Sequence, residues 1–227
     1  MSVLDDLMAR ATADAGVLGV ILTGSHARGL ATAHSDVDVT VVVDSHGAAW
    51  PRDRGADLDL AALTVEELGD TSVLWPRYGF RDAQVLLDRG GVAELVERQA
   101  TPTAEEARSW SGEFLDGYVN QLYRAVKSRR DGHPEAAALD EQESVGWLLG
   151  TAFALHGRLR PYNKYLEWEL ATHPLPPPWN DVLAPAYVGA HPVTLFPLVA
   201  DLARERGHGD LLDSWGADLD LILAAAR

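Results

Sequence analysis

The sequence predicts an α+β protein in which an N-terminal α/β domain is followed by a domain built only of helices. Strand-like runs of alternating or continuous apolar residues occur only before residue 100. From Thr103 onward, apolar residues recur at helical spacing, and prolines separate the segments. We therefore divide the chain into residues 1–100 and 101–227.

The N-terminal domain alternates helix and strand patterns. Amphipathic spacing predicts a first helix at 3–15, and further helices are expected at 25–32 and 92–99. Strands are expected at 17–23, 36–43, 57–63 and 83–88. Thr64 and Glu67 have the spacing of a capping box, which predicts that a short helix begins there. Residues 48–56 are expected to form a loop.

The C-terminal domain has only helical patterns, so a helical bundle is expected. The patterns cover 104–131, 137–157, 162–171, 179–187, 193–206 and 209–225. They are interrupted at His133-Pro134, at Arg160-Pro161 and by the proline run at 174–178.

Composition excludes several classes of function. The formal net charge of −15 argues against a polynucleotide partner, since such proteins present basic surfaces to phosphates. A single nucleotide accompanied by Mg²⁺ remains compatible, because the metal supplies positive charge. The absence of cysteine excludes disulfides, thiolate nucleophiles and cysteine-based zinc sites. No apolar run approaches a membrane span and the N-terminus does not resemble a signal peptide, so we expect a cytoplasmic protein without a membrane partner.

The dipeptide Gly24-Ser25 lies between a predicted strand and a predicted helix. Main-chain N–H groups at such a turn can bind an anion, and glycine lets a phosphate approach closely. An ordinary tight turn is the alternative.

The pair Asp36 and Asp38 alternates with valines, so both carboxylates point to one face of the predicted strand. Like charges at this spacing repel unless a cation or proton intervenes. Mg²⁺ prefers carboxylate oxygens together with water and substrate phosphates, so the pair suits a phosphate-bound metal. A solvent-facing strand edge is the alternative interpretation.

A third carboxylate is expected from the alternating segment Asp57-Leu58-Asp59-Leu60. Asp57 and Asp59 share a face, so spacing alone does not separate them. Asp59 is preferred because Leu58 and Leu60 flank it on both sides.

Taken in order, these segments resemble the polymerase-β-like nucleotidyltransferase superfamily. The residues that carry the resemblance are Leu22-Thr23-Gly24-Ser25, Asp36-Val37-Asp38-Val39 and Leu58-Asp59-Leu60, with the spacer GSHARGLATAHSDVDV resembling small bacterial and aminoglycoside (antibiotic) nucleotidyltransferases. The resemblance covers 17–69 closely and 80–99 more weakly. It implies a mixed β-sheet with flanking helices, followed by a helical substrate-binding domain.

The resemblance also implies roles for individual residues. Gly24 and Ser25 would hold the β- and γ-phosphates of a nucleoside triphosphate. Asp36 and Asp38 would bind two Mg²⁺ ions, and Asp59 would complete the catalytic metal site. Arg28 would either reach phosphate or serve as a cap or salt-bridge partner.

In the helical half, the resemblance depends mainly on RPYNKYLEWEL at 160–170. Lys164 in this segment resembles a lysine that faces the nucleotide phosphates in some small nucleotidyltransferases. An exposed lysine on an amphipathic helix is the alternative.

The expected function is Mg²⁺-dependent transfer of a nucleoside monophosphate, with AMP from ATP as the expected case, to a hydroxyl of a small molecule. An aminoglycoside- or lincosamide-like acceptor is the first choice, and pyrophosphate is released. The alternatives are an antitoxin-like enzyme that adenylylates a protein and a non-catalytic nucleotide-binding module. The oligomeric state is open between monomer and homodimer, and the catalytic base of the helical half is open among Glu113, Asp140, Glu141, Glu143, Glu167 and Glu169.

Overall fold

The structure is a computed structural model that describes residues 2–47 and 49–227. The chain divides into two compact units, the first ending at Thr101 and the second beginning at Pro102. Among the described residues, no helix has both the length and the apolar character needed to cross a membrane.

The first unit is a five-stranded sheet with helices on its faces. Its elements are α1 (Val3–Ala13), β1 (Val17–Leu22), α2 (Gly24–Ala27), β2 (Val37–Val43), β3 (Asp53–Arg54), β4 (Leu58–Thr64), α3 (Val65–Gly69), α4 (Leu74–Arg77), a 3₁₀ turn (Tyr78–Phe80), β5 (Gln84–Asp88) and α5 (Val92–Ala100). The strand order is β3-β4-β2-β1-β5. β2 and β4 are parallel and every other pair is antiparallel, which confirms the predicted mixed sheet.

Strand alternation gives each face of this sheet its own core. On one face, Val39, Val41 and Val43 of β2 pack in the same cluster as Leu7 and Ala11 of α1. The other face carries a second cluster, made by Ile21, Val42, Leu68, Val92 and Val96. Asp38 has the same parity as Val42, so its side chain belongs to this second face.

A buried arginine holds the end of α5. The Arg77 side chain is fully buried and donates hydrogen bonds to the main-chain carbonyls of Gln99 (3.0 Å), Arg98 (2.9 Å) and Thr101 (3.3 Å). These carbonyls lie at a helix C-terminus, where no residue of the next turn can satisfy them and where a cation is favoured. Arg77 therefore fixes the last residues of the first unit.

The second unit, residues 102–227, has only helical regular secondary structure. It contains α6 (Ala104–Arg130), α7 (Pro134–Leu155), a 3₁₀ turn (Asn163–Tyr165), α8 (Leu166–Thr172), α9 (Trp179–Val182), α10 (Pro185–Ala190), α11 (Phe196–Glu205), α12 (Gly209–Ser214) and α13 (Ala217–Ala225). α6 and α7 form a long hairpin, and their buried residues, with those of the following helices, make one cluster around Tyr118, Phe153 and Phe196. The capping boxes at Thr64 and Thr103 begin α3 and α6.

Several predicted element bounds were wrong. The helix predicted at 25–32 ends after one turn, because Gly29 adopts a left-handed conformation with φ of 69°. The pattern at 179–187 is split before Pro185, and the one at 209–225 is split at Gly216, whose φ is 51°. The predicted loop at 48–56 contains β3, and the sequence reasoning missed α4.

Candidate active site

The two central carboxylates come from neighbouring parallel strands. In the register of β2 with β4, Asp38 is the direct partner of Asp59. Residues that are opposite each other in a parallel pair point to the same face of the sheet, so the two side chains lie side by side. Both residues are half-buried. The strand pairing therefore brings together two acidic residues that are far apart in sequence.

Asp36 and Asp57 lie just before the two strands begin. The main-chain N–H of Val37 donates to the Asp57 carbonyl at 3.0 Å, so the same register places Asp57 opposite Asp36. Asp57 is exposed and precedes β4, whereas Asp59 is inside the strand. Asp59 is thus the acidic residue of this segment that lies opposite Asp38.

The Gly24 turn is in direct contact with Asp38. A Cβ atom placed on Gly24 would lie 1.8 Å from Oδ2 of Asp38, and the φ of Gly24 is 65°. Both facts require glycine at this position. The main-chain N–H of Thr23 donates to the carbonyl of Asp38 at 2.9 Å, which ties the end of β1 to the start of β2. The turn and the carboxylate therefore form one site.

Ser25 follows in the single-turn helix α2 and is buried. Its carbonyl accepts a hydrogen bond from the Leu30 N–H at 2.8 Å. Because α2 has only four residues, its macrodipole is smaller than that of the helix predicted from the sequence. The space that a side chain at Gly24 would take is filled by the Asp38 carboxylate, so the main-chain N–H groups of the turn are what it can offer to a phosphate.

Arg28 is engaged with main-chain carbonyls. Nη1 donates to Gly24 at 2.9 Å, while Nη2 donates to Tyr78 at 3.0 Å and to Arg81 at 2.6 Å. The residue is buried, and its guanidinium carbon lies 5.3 Å from the centre of the Tyr78 ring. The guanidinium therefore links the Gly24 turn to the 3₁₀ turn at 78–80.

The donor set agrees with the preferences of Mg²⁺. In the described part of the chain, no group of three or more histidine, aspartate or glutamate residues is arranged to hold a metal ion by itself. Mg²⁺ usually takes one or two carboxylates and completes its octahedron with water and substrate phosphates. Asp38 and Asp59, two carboxylates beside a glycine turn, fit this coordination preference.

In the second unit, Lys164 is exposed in the 3₁₀ turn that precedes α8, and its Nζ lies 5.4 Å from the centre of the Tyr165 ring. Three of the acidic residues considered as a base are in ion pairs: Asp140 with Arg124, Glu141 with Arg129 and Glu169 with Arg158. Their partners favour structural roles.

A cavity beside the carboxylates was missed by the sequence reasoning. It has a volume of about 610 Å³, lies in the first unit, and is lined on the carboxylate face by Thr40, Ala61 and Leu63. Thr40 and Ala61 follow Asp38 and Asp59 by two positions on the same strand faces. Alternation indicates this face and the capping box at Thr64 predicts α3, but α4, which also borders the cavity, was not predicted from sequence.

Comparison with known proteins finds one family model that matches the part of the chain containing this site. Residues 6–91 match the family model described as nucleotidyltransferase domain, which spans α1 to β5 and includes Gly24, Asp38 and Asp59. The chain has no match among curated proteins. Residues 6–91 therefore match a nucleotidyltransferase domain of the polymerase-β-like superfamily, and this match supports a transferase of phosphorus-containing groups with a nucleoside triphosphate as substrate.

Proposed function

We propose that the protein is a Mg²⁺-dependent enzyme that moves AMP from ATP to a hydroxyl of a small-molecule acceptor and releases pyrophosphate. The observation that carries this proposal is the pairing of Asp38 with Asp59 beside the Gly24 turn, inside a nucleotidyltransferase domain. In the reaction, the acceptor oxygen forms a bond to the α-phosphorus while the bond to the pyrophosphate oxygen breaks.

Each residue of the site has a task in this proposal. Gly24 and Ser25 hold the β- and γ-phosphates through the main-chain N–H groups of the turn. Asp36 and Asp38 hold the metal-bound triphosphate in place. Asp59 lies across from Asp38 and accepts the proton of the attacking hydroxyl. Positioning and charge stabilisation account for most of the rate in such transfers.

The carboxylates would hold Mg²⁺, with two ions as the expected number. Bound there, the metal would neutralise charge on the phosphates and stabilise the attacking and leaving oxygens. The same ions would relieve the repulsion among Asp36, Asp38 and Asp59.

The two basic residues, Arg28 and Lys164, have different tasks in this proposal. Arg28 acts mainly by holding the Gly24 turn in shape, since its bonds to the carbonyls of Gly24, Tyr78 and Arg81 engage its guanidinium. Lys164, which is exposed and is not in an ion pair within the described residues, contacts the phosphates. Replacing Lys164 with methionine should then raise the Kd for ATP without affecting folding.

The acceptor is proposed to be a cationic antibiotic of the aminoglycoside type, with a lincosamide-like molecule as the second choice. The formal net charge of −15 favours a cationic acceptor through charge complementarity. The helical second unit, which makes up about half of the chain, supplies surface for binding the acceptor. We propose that the enzyme is cytoplasmic and that it acts on neither a polynucleotide nor a membrane.

Pyrophosphate release measured over a panel of acceptors, with each of the four nucleoside triphosphates and Mg²⁺, tests the proposal. We expect release that requires both the metal and a small hydroxyl compound, and that disappears in Asp36→Asn and Asp38→Asn. Transfer of label to a protein band would instead support a protein-modifying enzyme. Binding of ATP without turnover of any acceptor would support a non-catalytic nucleotide-binding module.

A further inference from the structure

One edge of the sheet is open beside β4. The edge strand β3 has only two residues, and they pair with Leu60 and Asp59 of β4. Extending that register places Pro51 opposite Ala62. Proline has no N–H group, so it cannot donate to the Ala62 carbonyl, and the pairing of β3 with β4 stops there.

The main chain of Ala62 faces this open edge. The Asp57 carbonyl accepts from Val37 of β2, whereas the Leu58 carbonyl accepts from Gly55 on the opposite side. The main-chain N–H and C=O groups of successive residues point to alternate sides of a strand. Those of Ala62, like the carbonyl of Leu58, therefore point away from β2. Within the part of the chain that the structure describes, neither group has a hydrogen-bond partner.

The cavity described above opens at the same edge. Three successive residues of β4, Ala61, Ala62 and Leu63, line it. Consecutive side chains point to opposite faces, so a cavity that contacts all three residues reaches either the main chain of Ala62 or the far side of the strand edge. Trp50 and Phe80 are among its walls, which are largely apolar. The unpaired donor and acceptor of Ala62 therefore lie at a cavity whose lining surface is mostly apolar but which also includes the polar residues His46, Arg52, Glu67, Asp70 and Gln99.

The distance along β4 from Asp59 to Ala62 suits a nucleotide whose phosphates lie at the carboxylates. Ala62 follows Asp59 by three residues, which is about 10 Å along a strand. This is close to the distance between the α-phosphorus of a nucleotide and the hydrogen-bonding edge of its base. Thr23, next to the Gly24 turn, also lines the cavity.

We propose that this cavity binds the nucleobase of the triphosphate, with the main chain of Ala62 as its hydrogen-bonding edge. This inference rests on the proposed function. The Ala62 N–H donates to a ring acceptor such as N1 of adenine, and the Ala62 C=O accepts from the neighbouring amino group. The flat faces of the base pack against the cavity walls, and two polar atoms of its pairing edge satisfy both groups of Ala62.

The main chain of Ala62 can bind more than one kind of base. Each of the four bases presents a donor next to an acceptor on its pairing edge, so one N–H and one C=O can bind any of them. The edge therefore increases affinity for nucleotides and discriminates weakly among bases.

Calorimetric titration of the full-length protein with tripolyphosphate and with each of the four nucleoside triphosphates, in the presence of Mg²⁺, tests this inference. We expect every nucleotide to bind at least about tenfold more tightly than tripolyphosphate, because only nucleotides use the two Ala62 hydrogen bonds and the cavity. Equal affinity for tripolyphosphate and nucleotides would overturn the base site while leaving the phosphate site intact. If none of these ligands binds, the proposed function fails, and the base site fails with it.

Two variants locate the effect. Ala62→Pro removes the N–H at a position where it does not bond to β2, and Ala61→Phe fills the cavity from the carboxylate face. Each should weaken nucleotide binding about tenfold and leave tripolyphosphate binding unchanged, which also shows that the variant has folded. Ala93→Phe, the same enlargement on the exposed side of α5, is the control and should alter neither affinity. Unchanged nucleotide affinity in both folded variants would refute the base site.

Discussion

Asp38 and Asp59 are direct partners in the parallel pairing of β2 with β4, although 20 residues separate them in the chain. Two like charges at neighbouring strand positions destabilise a sheet. The pairing therefore lowers the stability of the protein when no cation is bound, and a bound cation removes this destabilisation. Stability and activity should respond in opposite directions when one of the charges is removed.

Asp59→Asn should abolish nucleotidyl transfer while the fold remains intact. We expect activity to fall by at least about a hundredfold, as for loss of a group that acts in the transition state. The free energy of unfolding should stay constant or rise by roughly 0.2–1 kcal/mol, because a repulsive cross-strand pair is lost. Pyrophosphate release and urea denaturation measure the two effects.

Asp57→Asn is the matched control, since it makes the same change two residues away on an exposed side chain. It should keep most of the activity. If Asp57→Asn inactivates the enzyme and Asp59→Asn does not, the third carboxylate has been assigned to the wrong residue.

Gly24→Ala should destroy the site through a clash with Asp38. The new Cβ would lie 1.8 Å from Oδ2 of Asp38, so the carboxylate or the turn must move. Gly29 has a similar φ of 69° but no heavy atom near its Cβ position, so Gly29→Ala incurs only the backbone strain of about 1–2 kcal/mol.

The comparison of these two glycine variants isolates the contact with Asp38. We expect Gly29→Ala to retain transfer activity and Gly24→Ala to lose both activity and Mg²⁺-dependent ATP binding in calorimetry. Equal activity in the two variants would show that the contact with Asp38 is unimportant.

Arg77→Met should strongly destabilise the first unit. The substitution leaves the carbonyls of Arg98, Gln99 and Thr101 without the donor that they share, and we expect a loss of roughly 3–5 kcal/mol. Arg98→Met removes an exposed arginine that donates to one carbonyl, that of Gly69, and should cost less than about 1 kcal/mol. Guanidinium denaturation of both variants provides the measurement, and similar midpoints would contradict this interpretation.

The stability of the second unit should fall in mild acid. Burial, with a smaller contribution from Arg108, lowers the pKa of His208 below its usual 6.5, and its Nε2 lies 2.8 Å from Oγ of Ser111. The unfolded chain therefore takes up a proton at a higher pH than the folded chain does. Stability is complete above about pH 6.5 and decreases below it, by at most about 1.4 kcal/mol per pH unit for this group.

Urea denaturation at pH 7.5 and pH 5.5 tests the contribution of His208. His208→Gln should reduce the difference in the free energy of unfolding between the two pH values. The control His34→Gln, at an exposed position, should show the same difference as the wild-type protein. The pKa of His156 is also lowered by burial, so part of the pH dependence should persist in the His208 variant. An unchanged difference in His208→Gln would exclude a role for this side chain.

Strand alternation was sufficient to predict the elements that carry the carboxylates. Asp38 lies within β2 and Asp59 within β4, close to the bounds expected from the apolar pattern. Their register could not be predicted, because it depends on a parallel crossover whose geometry local spacing does not encode. Asp59 was preferred to Asp57 because leucines flank it, but spacing alone does not separate the two residues, since they share a strand face.

Arg28 illustrates a different limit of sequence reasoning. A guanidinium can donate equally well to a phosphate or to main-chain carbonyls. The carbonyls that it contacts belong to Tyr78 and Arg81, some 50 residues along the chain, in a segment without a periodic pattern. The helix breaks at Pro185 and Gly216 were missed because apolar spacing continues across them into a shared core.

The buried guanidinium of Arg77 also sets a lower limit on how far the nucleotidyltransferase unit can be shortened. The matched family segment ends at residue 91, yet the carbonyls that solvate Arg77 lie at 98–101. A fragment that stops at the family boundary would remove the carbonyls of Arg98, Gln99 and Thr101 and leave the Arg77 cation without these three acceptors. Proteolytic cleavage before Thr101 should therefore release an unstable fragment, whereas cleavage just after it leaves every one of these acceptors in place.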